Sequence, residues 1–184
     1  ESVRTNVESR IRSLVEVTQL LYGRWRTQDE LMVAATTDPL TGLANRDALM
    51  AALAQAERSV AVLYIDVDHF KGVNDIWGHA IGDRVLVEVT RRISAACRRD
   101  DVVARVGGDE FVVLLRHVDE VIARRICRRI IDEVRLPLGL AEGPRHVSVS
   151  VGLAMDPLAG DLIEQADQAM LAAKRQGRAR LVSA

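Results

Sequence analysis

The sequence is poor in aromatic residues, cysteine and proline, and it has no long hydrophobic run. Aromatic side chains make up 3% of its 184 residues, and it has two cysteines and four prolines. Cys97 and Cys127 lack the spacing of metal ligands, so we expect reduced, buried thiols and neither a zinc site nor a disulfide framework. The apolar run from Val60 to Ile65 is far too short to span a bilayer.

An excess of charge of one sign is also missing. The chain has 25 basic and 26 acidic residues and a net charge of −1, which gives no electrostatic case for a nucleic acid or membrane partner. Its composition is that of a soluble globular domain. No secretory signal opens the chain, and residue 1 is Glu, so we expect a piece of a longer protein. We expect a cytoplasmic domain, and membrane tethering of the full-length protein stays open.

Lysine is nearly absent, since only Lys71 and Lys174 occur among the 25 basic residues. Where arginine is the default, a retained lysine indicates a role for a compact ammonium group. Lys71 lies in His69-Phe70-Lys71-Gly72, which leads into a predicted helix whose first N–H groups can bind phosphate. Lys174 closes another predicted helix, where the helix dipole is the alternative explanation. The two lysines therefore favour two phosphate-binding stretches.

The apolar pattern predicts a long N-terminal helix and then an α+β domain. Residues 3 to 34 carry a heptad seam, which indicates an amphipathic helix with a coiled-coil tendency. We expect residues 1–35 to form a helical stalk, with packing on its own domain as the alternative. Asp38-Pro39 and Gly42 break this helix. The second domain is predicted to cover residues 36–184.

From residue 46 the predicted order of elements is αβααββαβαβ. Hairpins and crossovers together predict a mixed, mainly antiparallel sheet with helices packed on it. The predicted helices cover 46–57, 73–77, 80–97, 119–134 and 162–176, and the predicted strands cover 60–66, 102–104, 111–115, 146–154 and 180–183.

Two carboxylates follow a pair of glycines between two apolar runs. Gly107 and Gly108 predict a β-hairpin with a primed turn, which needs positive φ at both positions. Asp109 and Glu110 come next, and Asp66 ends a buried central strand. Clustered carboxylates without histidine or cysteine favour Mg²⁺ or Mn²⁺. A solvated turn is the alternative for this stretch.

Asn74 and Asp83 are further polar candidates. A carboxylate only accepts hydrogen bonds, so it matches the N1–H and N2–H₂ donors of guanine and repels the N1 acceptor of adenine. A charge near a helix N-terminus is the alternative role for Asp83.

Taken together, these stretches resemble the GGDEF family of diguanylate cyclases. The resemblance covers about residue 36 to the end. It rests on the stretches that read DPLTGLANR from Asp38, DVDHFKGVND from Asp66, GH from Gly78, GD from Gly82, GGDEF from Gly107, SVSVG from Ser148, ADQA from Ala166, Lys174 and Gly177-Arg178. Leu171 stands where an aromatic residue is usual. The family's domains have a palm-like sheet similar to that of nucleotidyl cyclase catalytic domains.

The resemblance implies condensation of two GTP into cyclic di-GMP with release of two pyrophosphates. Two Mg²⁺ (or Mn²⁺) per active half-site would be bound by Asp66, Asp109 and the Val67 carbonyl. Glu110 would be a further ligand or would help to deprotonate the attacking hydroxyl. The implied nucleotide contacts are Asn74 and Asp83 for guanine, and His69, Phe70, Lys71, Lys174 and Arg178 for phosphates, with Gly107 and Gly108 beside the nucleotide.

The resemblance also implies a homodimer, because one domain holds one GTP and the product is two-fold symmetric. Arg98 and Asp101 resemble the family's RxxD site, at which cyclic di-GMP inhibits the enzyme, with Arg125 or Arg129 as a further contact. An i,i+3 ion pair is the alternative. An upstream sensor domain is expected in the full-length protein. A non-catalytic module that binds GTP or cyclic di-GMP is the competing function.

Overall fold

The computed structural model describes residues 35–56, 59–140, 143–156 and 161–184. The chain divides into two units between Thr36 and Thr37. All described residues except Ala35 and Thr36 belong to the second unit. The stalk predicted for residues 1–35 lies outside the described residues apart from Ala35, so it stays a prediction.

The second unit is an α+β domain whose elements follow the predicted order. Its helices are α1 (Arg46–Ala54), α2 (Phe70–Trp77), α3 (His79–Ala96), α4 (Glu120–Arg135) and α5 (Leu162–Arg175). Its strands are β1 (Val60–Val67), β2 (Val102–Arg105), β3 (Glu110–Arg116), β4 (Leu138–Leu140), β5 (Gly143–Arg145), β6 (Val149–Asp156) and β7 (Leu181–Ser183). The β4–β5 hairpin is the one addition to the predicted order.

Five strands form the main sheet, in the order β2-β3-β1-β6-β7. Strand β1 lies at the centre and pairs antiparallel with both β3 and β6, whereas β7 runs parallel to β6. This confirms the mixed, mainly antiparallel sheet. The small β4–β5 sheet is separate.

Both faces of the central strand are buried, and each supports its own apolar cluster. Leu63 and Ile65 pack with residues of α2, α3 and α4. Val62 and Tyr64 point to the opposite face and pack with residues of α1 and α5. Because side chains alternate along a strand, Asp66 belongs to the face that carries α5. The strand therefore delivers a carboxylate to the edge of an apolar layer.

Helix α5 lies directly on β6, because β6 has a glycine at the closest approach. A Cβ atom at Gly152 would overlap the Ala166 carbonyl oxygen and the Met170 amide nitrogen. Both are backbone atoms, which cannot rotate away. The absence of a side chain at residue 152 thus sets the depth at which α5, and with it Lys174, sits over the sheet.

The turn between β2 and β3 differs from the prediction. Neither Gly107 nor Gly108 adopts a left-handed φ, so the primed two-residue turn is wrong. The physical reason is length: four residues, 106–109, connect the strands. Gly107 lies close to the Glu110 side chain, so a Cβ there would overlap the Glu110 carboxylate unless that side chain moved.

Three element boundaries differ from the predicted ones by three residues, and the others by two at most. Helix α2 begins at Phe70, three residues before the predicted start, because His69 adopts a left-handed φ of 58° that turns the chain from strand to helix at once. Helix α1 ends at Ala54, before the predicted Glu57. Strand β6 begins at Val149 and not at 146, since it pairs with β1 only from that residue.

An arginine ties the four-residue turn to the start of the domain. The Arg105 guanidinium donates from Nη1 to the Asp38 carboxylate at 3.0 and 3.2 Å, and from Nε and Nη2 to the Gly108 carbonyl at 3.2 and 2.7 Å. Thr41 donates its N–H and its hydroxyl to Asp38. Burial raises the pKa of Asp38, but the hydrogen bonds from Thr41 and Arg105 outweigh it and lower the pKa below its usual 3.8.

We predict that Gly152→Ala lowers the free energy of unfolding by about 1–3 kcal/mol, because the new methyl group overpacks against backbone of α5. Gly72→Ala is the control, since nothing lies within 4 Å of a Cβ at that helical position. The control should be neutral or gain up to about 1 kcal/mol from helix propensity. Urea unfolding of both variants checks this. Equal losses would show that α5 does not depend on the missing side chain.

We further predict that Arg105→Lys lowers stability by roughly 1–3 kcal/mol at neutral pH, because lysine cannot bridge Asp38 and the Gly108 carbonyl as a planar fork. Stability from the lowered pKa of Asp38 is present above its usual pKa of 3.8 and is lost as the pH falls through the folded value. The difference between variant and wild type should therefore shrink in acid. Arg124→Lys, in an exposed i,i+4 pair with Glu120, should cost under about 0.5 kcal/mol. Thermal melts from pH 3 to pH 7 measure both, and a difference that does not change with pH would contradict the prediction.

Candidate functional site

Two of the predicted acidic residues face each other across neighbouring strands. Asp66 of β1 and Glu110 of β3 are partners in the antiparallel register, so their side chains leave the same face of the sheet. Asp109 precedes β3, and its carbonyl oxygen accepts the Val67 N–H at 3.1 Å. The structure thus brings Asp66, Val67, Asp109 and Glu110 to one end of the central strands.

Lys174 provides the positive charge of this cluster. Its Nζ lies 2.6 Å from Oδ2 of Asp66, and the side chain of Asp66 is 7% exposed. Burial raises the pKa of Asp66 to about 6; the bond to Lys174 opposes the increase, whereas the charges of Asp109 and Glu110 add to it. One ammonium group therefore offsets only part of the cost of ionising Asp66 here. The lysine predicted to bind phosphate reaches the acidic cluster directly.

Tyr64 also contacts the cluster, which the sequence reasoning missed. It lies two residues before Asp66 on the same face of β1, and its side chain hydrogen-bonds to Glu110. Burial, the charges of Glu110 and Asp167 and this bond raise the pKa of Tyr64 to about 12, so the phenol stays neutral and donates. A polar aromatic residue at period two from an acidic residue was the available signal.

The donor chemistry of the cluster fits a hard divalent cation, since all candidate ligands are oxygen atoms. In the part of the chain that the structure describes, no group of three or more histidine, cysteine, aspartate or glutamate side chains is gathered as a metal site. Asp66 instead binds Lys174. The four residues fit the chemistry of Mg²⁺ or Mn²⁺, and the predicted ligand set stays a prediction.

The predicted phosphate-binding residues lie on two segments near this edge. His69 has left-handed backbone and directly precedes α2, so the first N–H groups of α2 follow the end of β1 after a single turn. Lys71 is exposed in the first turn of α2. Lys174 is in the last turn of α5, and Arg178 is exposed three residues after that helix ends.

The two candidates for guanine recognition lie where α2 meets α3. The side-chain oxygen of Asn74 is buried and has no hydrogen-bond partner among the described residues. It lies against Gly82, where a Cβ would overlap it. Asp83 is exposed and is the fifth residue of α3, beyond the first turn, so the alternative role as an N-terminal helix charge is not supported. An unsatisfied acceptor and an exposed carboxylate thus flank one contact between helices.

The predicted inhibitory residues lie at the opposite end of α3. The Asp101 carboxylate accepts the Arg98 N–H at 2.7 Å and the Arg116 N–H at 3.2 Å. Arg98 is exposed. Arg129 of α4 donates to the Ala95 carbonyl at 2.8 Å, at the end of α3 that precedes Arg98, and the further contact of this site stays a prediction.

No helix among residues 35–56, 59–140, 143–156 and 161–184 is both long and apolar enough to cross a membrane.

Comparison with known proteins agrees with this geometry. The family model described as "Diguanylate cyclase, GGDEF domain" matches residues 35–180. The diguanylate cyclase TpbB of Pseudomonas aeruginosa is 42% identical over 169 residues, which cover 83% of this chain and 39% of TpbB. The cyclic di-GMP phosphodiesterase PdeR of Escherichia coli is 38% identical over 162 residues, which cover 83% of this chain and 24% of PdeR. The chain thus spans about two fifths and one quarter of these relatives.

Among solved structures, the coiled coil and GGDEF domain of DgcB from Caulobacter crescentus, in complex with cyclic di-GMP, is similar with a TM-score of 0.86 and 31% identity. The match covers 97% of this chain and 99% of that one. Sequence motifs, sheet topology and similarity over most of the chain all agree, and the chain belongs to the GGDEF family of diguanylate cyclase domains.

Proposed function

We propose that this chain is the catalytic domain of a diguanylate cyclase, which condenses two GTP into cyclic di-GMP and two pyrophosphates. The observation that carries the proposal is the acidic cluster at the end of β1. There Asp66 lies opposite Glu110 in the strand register and forms an ion pair with Lys174 of α5. A purely structural sheet end would not need a buried carboxylate whose pKa is raised to about 6.

Each half of the reaction joins one GTP to the other. The 3′-hydroxyl oxygen of one GTP attacks the α-phosphorus of the second, the bond to the β-phosphate breaks, and pyrophosphate leaves. The hydroxyl proton is removed in the same step. Glu110, held by Tyr64, would be the group that accepts this proton or a further metal ligand.

The family generally uses a divalent metal. Asp66, Asp109, Glu110 and the Val67 carbonyl would hold Mg²⁺ or Mn²⁺, with two ions per active half-site. Such ions stabilise the attacking and leaving oxygens of a phosphoryl transfer.

The nucleotide would extend from the acidic cluster toward α2 and α3. The unpartnered oxygen of Asn74 and the carboxylate of Asp83 would accept the hydrogen-bond donors of guanine. The first N–H groups of α2 at His69 and Phe70, with Lys71, would bind phosphates. The compact turn at Gly107 and Gly108 would leave room for the nucleotide.

Lys174 and Arg178 would bind phosphate from the other side. The side chain of Lys174, whose ammonium group bonds to Asp66, is 28% exposed, so its ammonium group would exchange the carboxylate for a phosphate oxygen when GTP binds.

The product requires two domains. Each domain holds one GTP, whereas cyclic di-GMP joins two in a two-fold symmetric ring, so we propose an active homodimer. The predicted stalk would align the two copies. An upstream sensor domain and a cytoplasmic location complete the proposal for the full-length protein.

Cyclic di-GMP would also inhibit the enzyme at Arg98, Asp101 and Arg129. Asp101 already orders this corner by accepting two backbone N–H groups. The exposed Arg98 and Arg129 would supply the charge that binds phosphates of the product.

A non-catalytic module that binds GTP or cyclic di-GMP is the second candidate. The observation that favours it is the similarity to PdeR, whose name is that of a phosphodiesterase. Product analysis separates the two functions.

We predict that the wild-type chain, incubated with GTP and Mg²⁺, forms cyclic di-GMP and pyrophosphate that chromatography resolves. Glu110→Gln should reduce turnover by at least about 100-fold, whether Glu110 is a base or a ligand. Asp132→Asn, an exposed carboxylate on α4, should turn over like wild type. Failure of the wild type to form product, even when fused to a dimerising coiled coil, would refute the cyclase and favour the binding module.

We also predict that Arg98→Ala leaves initial turnover unchanged but raises the concentration of cyclic di-GMP needed for half-inhibition by about tenfold or more, because a charged phosphate contact is lost. Arg91→Ala is the control, since Arg91 is exposed on α3, the helix that ends just before Arg98, and pairs with Glu88. Initial rates at increasing product concentration measure the effect. Inhibition that is the same in both variants would remove Arg98 from the inhibitory site.

A further inference from the structure

The second carboxylate of the Asp66-Val67-Asp68 stretch has a different environment from the first. Asp68 is 5% exposed and follows β1 by one residue. Its carboxylate accepts three hydrogen bonds: from the Ser148 hydroxyl at 2.6 Å, the Ser150 hydroxyl at 2.7 Å and the Ala179 N–H at 3.1 Å. A buried carboxylate is tolerated when donors surround it in this way.

The third donor belongs to a turn in an unusual backbone conformation. Arg178 and Ala179 have left-handed φ values of 62° and 51°, directly after Gly177 at 109°. For residues other than glycine this region costs roughly 1–2 kcal/mol each, so the surrounding structure must hold the turn. The bond from Ala179 to Asp68 links the turn to the strand that carries Asp66.

Other bonds of the turn do not reach β1. The Arg178 N–H bonds to the Ala173 carbonyl, and the Arg135 side chain donates to the Ala179 carbonyl. The Val151 N–H bonds to the Arg180 carbonyl. These contacts fix the turn to α5, α4 and β6, whereas the Asp68 carboxylate joins it to the end of β1.

This turn carries one cation of the proposed phosphate site and follows the helix that carries the other. Lys174 is in the last turn of α5 and bonds to Asp66, and Arg178 lies inside the strained turn. A shift of the turn relative to β1 would therefore move Arg178 relative to the acidic cluster.

We infer that Asp68 is a positioning residue, which fixes the 177–180 turn to β1 so that Arg178 faces the triphosphate of bound GTP. It acts through Arg178 and contacts neither metal nor substrate. The inference rests on the proposed function for its ligand, but its test needs only nucleotide binding and not turnover.

The test is a double-mutant cycle read by calorimetric binding of the α,β-methylene analogue of GTP with Mg²⁺, which cannot release pyrophosphate. Asp68→Asn keeps the shape but replaces one acceptor oxygen with a donor. It should weaken binding about tenfold, and Arg178→Ala should weaken it by a similar factor. If Asp68 acts through Arg178, the double variant should bind no more weakly than Arg178→Ala alone. For turnover, Asp68→Asn should raise the KM for GTP with kcat within about twofold.

Ser148→Ala is the milder variant, because it removes one of the three donors to Asp68. If Asp68→Asn does not fold, the same cycle is measured with Ser148→Ala and Arg178→Ala. Ser148→Ala should weaken binding two- to threefold in the wild-type background and not at all with Arg178→Ala. Additive losses in the cycle would show a purely structural role and overturn the inference. A drop in kcat together with a higher Mg²⁺ requirement would overturn it in favour of a metal ligand.

The role of Asp68 and the cyclase activity can be refuted separately. A wild-type chain that binds the analogue but forms no cyclic di-GMP from GTP refutes the cyclase, while the cycle still decides the role of Asp68. A wild-type chain that does not bind the analogue overturns the inference itself, because no phosphate is then positioned.

Discussion

The ion pair between Asp66 and Lys174 joins the two halves of this domain's functional edge. Asp66 is the second-to-last residue of the central strand, Lys174 is in the last turn of α5, and Oδ2 of Asp66 and Nζ of Lys174 lie 2.6 Å apart. Even so, the pKa of Asp66 rises from 3.8 to about 6, which corresponds to roughly 3 kcal/mol of destabilisation once the group is ionised. That penalty is absent below the usual pKa and complete above about pH 6. A buried carboxylate that destabilises the fold at neutral pH indicates a functional role for Asp66.

The rest of the domain holds the parts of this edge in place. Gly152 lets α5 approach the sheet, and Arg105 connects the turn before Glu110 to Asp38 at the start of the domain. Asp68 connects the turn after α5 to the end of β1. Arg105 and Asp68 each join a turn to another segment of the domain, and such bonds hold side chains on turns with the precision that chemistry requires.

Much of the domain could be predicted from sequence, because its apolar residues recur at regular spacing and glycine and proline mark where several elements end. The buried strand that ends in Asp66 and the order of helices and strands follow from apolar patterns. The β4–β5 hairpin was missed because its strands have three residues each, too few for a pattern. The prediction of a primed turn at Gly107 is wrong because neither glycine has a positive φ there, and the sequence does not show that Gly107 lies beside the Glu110 carboxylate. The bonds of Asp68 join residues 80 to 111 positions apart, which no local pattern reveals.

We propose that this edge binds a divalent metal and a triphosphate, with Lys174 exchanging Asp66 for phosphate. A crystal structure with Mg²⁺ and the α,β-methylene analogue of GTP tests it most directly. We expect metal bound by Asp66 and Asp109, with the Lys174 ammonium group on a phosphate oxygen. A structure in which the analogue is bound while Lys174 keeps its bond to Asp66, and no metal contacts either carboxylate, would contradict it.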